Sequence, residues 1–551
     1  MAPRHGGAIL AEQLKIQGVT RVFSVPGESF LAALDGLYDS GIQNIVCRQE
    51  GGASMMAEAQ GKLTGQPGVA FVTRGPGATN ASSGLHVAMQ DSTPMILFVG
   101  QIARGHRDRE AFQEVDYRQM FGGLVKWVAE IDQTDRLPEY IARAFQIAMS
   151  GRPGPVVLAL PEDMLSAMAD VADRPVAQVA RAMPSPADTA RILDMLGQAK
   201  RPLVIAGGAG WSAQAASDLE RFAAGMDLPV AVPFRRQDYI NNDSAQYVGD
   251  LGVGMNPALA KRLQDADVLL VIGAKVGDIL TGGFELLDVA DHGKTIIHTH
   301  PSPDEPGHVY APDFAVACES GALLAALGDA GGAVGAWADW RDQARHDYEA
   351  WQHPQETPGP VKMEQVIAWL AETLPQDAIL TNGAGNYAAF VHRYYRYKNY
   401  TTQLAPTSGS MGYGFPASIA AKLEHPDRTV ICFAGDGCFQ MTCNEMSTAI
   451  QHGAAVIVIV VNNGKYGTIR MHQEKHYPGR VSGTMIANPD FAALARAYGG
   501  EGQTVTRTQD FAAAFAQAQA AGVLSVIELQ LDDEVLSTGM TLSQTRALGE
   551  G

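Results

Sequence analysis

Short apolar runs alternate along most of the chain with longer stretches whose apolar positions recur at helical spacing. From Ala8 to about Leu165 the runs are VTRVFSV, NIVC, VAFVT, PMILFVG and PVVLAL, parted by Gly/Pro turns or by segments of helix length. Such runs, apolar on both faces and joined by helices, predict a parallel sheet covered on both sides. A polar, proline-containing stretch from Asp170 to Pro186 leads to a second set, PLVIA, PVAVP, DVLLVIG and KTIIHTH, ending near Ala330. After the linker HPQETPGP, His353 to Pro360, a third set follows: DAILTN, TVICFAGD, AAVIVIVVNN and LSVIEL. The expected architecture is α/β in three domains, residues 1–170, 186–330 and 361–551, each a mainly parallel sheet with helices on both faces.

A chain of 551 residues exceeds what one core organises, in keeping with that division. Its formal charge of −18 disfavours nucleic acid or an anionic membrane as a partner. Five cysteines, Cys47, Cys318, Cys432, Cys438 and Cys443, fit neither a disulfide framework nor a paired metal site and read as reduced, mostly buried thiols. Glu12, Gln13 and Lys15 interrupt the apolar residues near the N-terminus in an amphipathic pattern, unlike a signal peptide, and no stretch is apolar and long enough to span a membrane. A cytoplasmic location is the expectation.

The strongest chemical signal is GDG at Gly435 to Gly437, directly after the run TVICFA, with Asn462 and Asn463 about twenty-five residues later after another apolar run. Both elements fall at carboxyl ends of strands, the edge where open α/β sheets bind ligands. An Asp carboxylate and an Asn side-chain carbonyl are hard oxygen ligands suited to magnesium, and flanking glycines let backbone amides approach a diphosphate.

This pairing resembles the thiamine diphosphate binding motif of the pyruvate decarboxylase and acetolactate synthase superfamily. The resemblance implies magnesium held by Asp436, the Asn463 side chain and the backbone carbonyl of Lys465, with Gly435, Gly437, Cys438, Tyr466 and Gly467 against the cofactor. In the first domain, RQEGGASMMAEA places Glu50 at a helix start after the run NIVC. The resemblance makes Glu50 the group that bonds the aminopyrimidine and promotes cofactor activation, a proton transfer suited to a carboxylate in a dry pocket. TRGPGATN, from Thr73, is similar to the family's SGPGATN, which brings Gly75, Pro76, Gly77 and Asn80 to the pyrimidine. GSMGYGFPASIAA, from Gly409, is similar to the acetolactate synthases' GTMGYGLPAAIGA, which gives Gly409 a carbonyl contact to the cofactor and makes Met411 the wedge beneath it. Asn386, in TNGAGNYAA, sits where several acetolactate synthases carry histidine.

Within the superfamily, AFQEVD at Ala111 to Asp116 and LVKW at Leu124 to Trp127 are closest to acetolactate synthases and put Gln113 and Lys126 in the reaction pocket by resemblance. The adjacent His-His pair of simple pyruvate decarboxylases does not occur. Two positions depart from the pattern. Glu28 follows PG where benzoylformate-type enzymes have serine, and Arg74 stands where acetolactate synthases have a small residue. Arg74 either binds a second carboxylate or phosphate of a substrate, or pairs with a neighbouring acid. The middle domain reads GVGMN at Gly252, GAKVGDI at Gly273 and IHTHPSP at Ile297, unlike the family's flavin elements, so FAD is not expected. The family's tryptophan after NN is missing.

What the resemblance implies is decarboxylation of a 2-oxo acid with carboligation, acetolactate from two pyruvates being the default product. It also implies subunits self-associated as a dimer or tetramer, with active sites between an N-terminal and a C-terminal domain of different chains. The rivals are a non-ligating decarboxylase that releases an aldehyde, a CoA-ester decarboxylase and a catalytically silent cofactor-binding paralogue.

Overall fold

Every position of the strands Gly68–Val72, Met95–Gln101 and Pro155–Pro161 is buried, as a strand covered by helices on both faces must be. They are central in a six-stranded parallel sheet of order Gln43–Val46, Arg21–Ser24, Gly68–Val72, Met95–Gln101, Pro155–Pro161, Trp127–Glu130. The computed structural model describes residues 2–328 and 337–550, and within them this plan occurs three times. The middle sheet runs Tyr247–Leu251, Val230–Pro233, Pro202–Ala206, Val268–Ile272, Thr295–His300, Phe314–Ala317. The third runs Gln403–Leu404, Ile379–Asn382, Val430–Gly435, Ile457–Asn462, Ser525–Gln530, Glu501–Val505.

The apolar runs of the sequence fall on the inner strands of all three sheets, except NIVC, which falls on the edge strand Gln43–Val46. The edge strands Trp127–Glu130, Tyr247–Leu251, Phe314–Ala317, Gln403–Leu404 and Glu501–Val505 carry no comparable run; most are short or keep polar residues half exposed. The expected end of the middle domain at residue 330 lies outside the described residues. Beyond it, Trp337 and Tyr348 join the middle core, so helix Ala338–Trp351 packs with that domain. The cysteines are free, and all but Cys443 are buried.

In each sheet the chain first adds strands toward one edge and then crosses back, leaving a crevice at the carboxyl ends of two adjacent strands where the order reverses. These crevices lie beyond Ser24 and Val72 in the first sheet, Ala206 and Ile272 in the second, and Asn382 and Gly435 in the third. Ligands of such sheets bind there.

The first and third domains share one apolar core, in which Ala53 and Met56 of helix Glu50–Thr64 join Phe415 and Ile419 of helix Gly414–Glu424. A buried polar network crosses the same boundary: the Tyr413 hydroxyl donates to Glu58 Oε2 at 2.5 Å, Thr93 donates to Glu58 Oε1 at 2.7 Å, and Lys62 pairs with Asp91. Burial pushes the Glu58 carboxyl up, against the pull of Lys62.

Candidate active site

In the third sheet Gly435 is paired with Val461, so the two strands end level and present Asp436 beside Asn462 and Asn463. Asp436 is buried. Its Oδ1 accepts the Gly437 amide at 2.8 Å, and its Oδ2 accepts the Gly464 amide at 2.8 Å and the Asn488 side chain at 2.7 Å. A Cβ on Gly437 would stand 2.6 Å from the Tyr466 ring and 2.8 Å from Ile486, so only glycine allows this close approach. Asn463 Oδ1 receives the Lys465 amide at 3.3 Å, and the Lys465 ammonium is drawn away to the Asp533 carbonyl at 2.9 Å, which leaves a backbone carbonyl as its contribution to any ion.

Asp436, Gly437, Asn463, Lys465 and Tyr466 line a cavity of about 270 Å³ together with Asn386, Gly409, Met411, Gly435, Cys438 and Gly467. The expected residues of the third domain are thus gathered on one wall. Asn386 accepts the Thr468 hydroxyl at 2.8 Å, which fixes the start of helix Gly467–His476. Cys438 Sγ accepts the Gly412 amide at 3.1 Å and lies 3.3 Å from the Tyr387 hydroxyl; burial pushes its thiol up, so it is a neutral packing group here. Among the described residues no cluster of three or more His, Cys, Asp or Glu suits a metal. A donor set of one carboxylate, one amide oxygen and one carbonyl fits a hard cation that completes its shell on a diphosphate.

Glu50 begins helix Glu50–Thr64, and Gln49 caps that helix by accepting the Gly52 amide at 3.1 Å. Asn80 donates to Glu50 Oε2 at 2.9 Å. Glu50 Oε1 lies 3.3 Å from where a Gly77 Cβ would stand, and the same Cβ would meet Thr73 at 2.9 Å. Pro76 opens helix Pro76–Asp91 in that turn. Gln113, at φ +65°, packs against Gly75, whose amide donates to the Tyr117 hydroxyl at 2.9 Å. Glu50, Pro76, Asn80 and Gln113 therefore stand together at the crevice of the first sheet. None of them lines the cavity of the third domain in the same chain.

Lys126 is the exception among the expected pocket residues. Its ammonium donates to the carbonyls of Ile147 and Ser150 at 2.5 and 2.6 Å, and it lines a different cavity between the first and middle domains. LVKW runs into the edge strand Trp127–Glu130, which carries Lys126 away from Glu50. Burial, aided by the charge of Arg152, lowers its pKa to about 8.

Arg74 is paired with neighbouring acids. Its guanidinium reaches Glu28 at 3.3 Å and Glu162 at 3.2 Å, and its Nε donates to the Phe112 carbonyl at 3.3 Å. The residue unanticipated from sequence is Asn488, which bonds Asp436 and also donates to Asn462 Oδ1 at 2.8 Å. Its only signal is a polar residue before a proline in a loop, which has no periodicity to mark it.

The middle-domain cavity, about 700 Å³, lies at the crevice beyond Ile272 and is lined by Lys126, Arg152, Lys275 and His300. Strand Thr295–His300 ends in His300, whose ring accepts the Ser302 amide at 3.0 Å; Asp304 and Glu305, which also line the cavity, follow only after the turn.

Three matches to family descriptions tile the chain: thiamine pyrophosphate enzyme N-terminal TPP binding domain at residues 4–120, central domain at 189–327, and C-terminal TPP binding domain at 383–529. The chain is 31% identical to the acetolactate synthase isozyme 2 large subunit of Escherichia coli, over 93% of this chain and 92% of that one. It is 31% identical to the acetolactate synthase large subunit of Lactococcus lactis, over 90% and 87%, and 30% identical to the acetolactate synthase of Mycobacterium bovis, over 94% and 86%.

Proposed function

The chain belongs to the thiamine pyrophosphate enzyme family beside the acetolactate synthase large subunits, and from that premise we propose that it decarboxylates a 2-oxo acid and ligates the retained fragment to a carbonyl acceptor, with magnesium as the second cofactor. The observation that carries this reading is the convergence of Asp436, Asn463 and Lys465 on one cavity with Gly409 and Met411.

When bound, thiamine diphosphate supplies the electron sink into which a 2-oxo acid loses carbon dioxide. The chain's own residues do the rest. Asp436, Asn463 and the carbonyl of Lys465 would hold magnesium on the diphosphate, and Met411 would pack against the cofactor. Glu50 moves a proton at the pyrimidine through Oε1, because Asn80 occupies its Oε2. Gln113, beside Gly75, faces the substrate.

Glu50 and the third-domain cavity are separate in one chain, which supports a dimer or tetramer in which two chains complete each site. Met441, Ile469 and Met485 are exposed apolar side chains near that cavity, a surface suited to cover by a partner copy. We assign no FAD to the middle-domain cavity, since the strand end that would bind ribose carries His300. Among the described residues no helix is long and apolar enough to cross a membrane; a cytoplasmic location is part of the proposal.

The test is carbon dioxide release and mass-spectrometric product identification across a panel of 2-oxo acids with both cofactors, comparing wild type with Glu50→Gln. Cofactor-dependent turnover that yields ligated product and collapses in the variant is the expected result. Aldehyde alone would replace ligation with simple decarboxylation; no turnover despite bound cofactor would overturn the reading.

A further inference from the structure

The crevice of the first sheet opens between the segments that follow Ser24 and Val72, and those segments carry Glu28 and Arg74. They are packed on each other and on the Glu50 turn. Gly27 lies flat against Thr73, the Ser29 and Thr73 hydroxyls are 2.8 Å apart, and Gly77 fits between Thr73 and Glu50. Arg74 is almost wholly buried, whereas the Glu28 side chain is 69% exposed. A buried cation thus holds an exposed carboxylate on the open side of the turn that presents Glu50.

Arg74 also grips the Phe112 carbonyl, the peptide group directly before Gln113. Its three contacts therefore fix the loops on two sides of the crevice at once. The charges do not cancel: one guanidinium faces two carboxylates, Glu28 and Glu162, leaving the cluster at −1. The neighbouring Arg104 is paired with Asp163 at 2.9 Å and adds no free positive charge.

We propose that Arg74 is a positioning residue that holds Glu28 over this crevice, and that the resulting negative rim makes the acceptor an uncharged aldehyde or ketone in place of a second 2-oxo acid. The inference rests on the carboligation reading above and names its acceptor class. An acceptor carboxylate approaching the exposed Glu28 meets like charge, and the cation that would offset it, Arg74, is already shared between two acids. Rejection by a fixed repulsive group is an ordinary source of specificity.

The reaction balances without an oxidant or reductant. The donor loses one carbon dioxide and one proton is taken up. A carbon–carbon bond forms between the donor's former carbonyl carbon and the acceptor's carbonyl carbon. The acceptor's π pair becomes the hydroxyl oxygen, and the donor carbonyl is restored on release.

The experiment uses the full chain with thiamine diphosphate and magnesium, one isotopically labelled 2-oxo acid donor, and equimolar acetaldehyde and unlabelled pyruvate as competing acceptors. The wild type is expected to put most of the label into the product of the aldehyde. Glu28→Gln is expected to move the product ratio about tenfold toward the pyruvate adduct, the effect of removing one charge near the path. Arg74→Lys keeps the charge but cannot bridge both acids and the Phe112 carbonyl; it is expected to raise the acceptor KM about tenfold while the donor KM moves less. A wild-type preference for pyruvate as acceptor, or a Glu28→Gln ratio equal to wild type, overturns the proposal. Absence of donor consumption is a different failure, since it removes the carboligation reading itself.

Discussion

The side-chain nitrogen of Asn488 lies 2.7 Å from Asp436 Oδ2, so the carboxylate that faces the cavity is oriented by a residue from a loop outside both motif segments. The same nitrogen bonds Asn462 Oδ1, and Gln440 donates to the Asn488 carbonyl oxygen at 2.7 Å. Partners that orient a metal-binding carboxylate set the ion's affinity almost as strongly as the ligand does. Asn488→Ala is expected to weaken magnesium and thiamine diphosphate binding about 10- to 100-fold with an unchanged far-ultraviolet spectrum. Titration of cofactor into the metal-loaded protein checks it, and an unaltered binding curve would remove Asn488 from the site.

Gly77 tests the other half of the site. A Cβ there would press on Thr73 at 2.9 Å and on Glu50 Oε1 at 3.3 Å. Thr73 is held by Ser29, so the displacement falls on Glu50. A shift of about an ångström at a reacting group costs up to about 100-fold in rate. Gly77→Ala should therefore lower kcat by one to two orders of magnitude while cofactor affinity, set mainly by the third domain, changes little. Loss of affinity in step with rate would mean that the turn carries binding as well as proton transfer.

The parallel sheet explains which parts of this site were legible in the sequence. GDG and NN each follow a buried apolar strand and the Glu50 segment follows the edge strand Gln43–Val46, and a parallel sheet delivers the residues after its strands to one edge. Asp436, Asn463 and Glu50 could be placed for that reason. Asn488 follows no strand, and the contact of Arg74 with Glu28 and Glu162 joins three loops that are distant in sequence, so neither had a local signature. Lys126 lines the cavity between the first and middle domains, because LVKW leads into the edge strand Trp127–Glu130.

Glu445, in the third domain, fixes the turn that presents Glu50 in the first. Its Oε1 accepts the amides of Arg48 and Gln49 at 3.1 and 3.0 Å, and its Oε2 accepts the Thr448 hydroxyl at 2.5 Å. Burial pushes this carboxyl up, and the bonds from Thr448 and the two amides pull it back. Glu445→Ala removes the acceptor of two part-buried amides at about 1 kcal/mol each, and unfolding in urea should report a loss of that order. Glu445→Gln retains an acceptor and should recover about half or more of it. Equal stability of the two variants would show that the amides find water instead.

The helix Leu542–Glu550 is clamped to helix Gly467–His476, which carries Thr468 and Ile469 on the cavity wall, through Arg546 and Glu474. Arg546 donates to both Glu474 oxygens at 2.7 and 2.9 Å, and Arg470 donates to Oε1 at 2.8 Å. The Arg546 bonds, then the Gly479 amide and Arg470, hold the Glu474 carboxyl down at about 2 in spite of its burial. A carboxyl depressed on folding stabilises the docked state above its unfolded pKa of about 4.3, and that contribution fades as pH falls from there through about 2. Hydrogen exchange in residues 542–550 should therefore accelerate across that interval, beyond the intrinsic pH dependence of exchange. Arg546→Ala should produce the same loosening near neutral pH, and Glu474→Gln should abolish the acid step. Because helix Gly467–His476, the other side of this clamp, lines the cavity, bound cofactor should be released over the same interval. Protection that persists to about pH 2 would place the anchor of this helix in its apolar contacts instead of the ion pair.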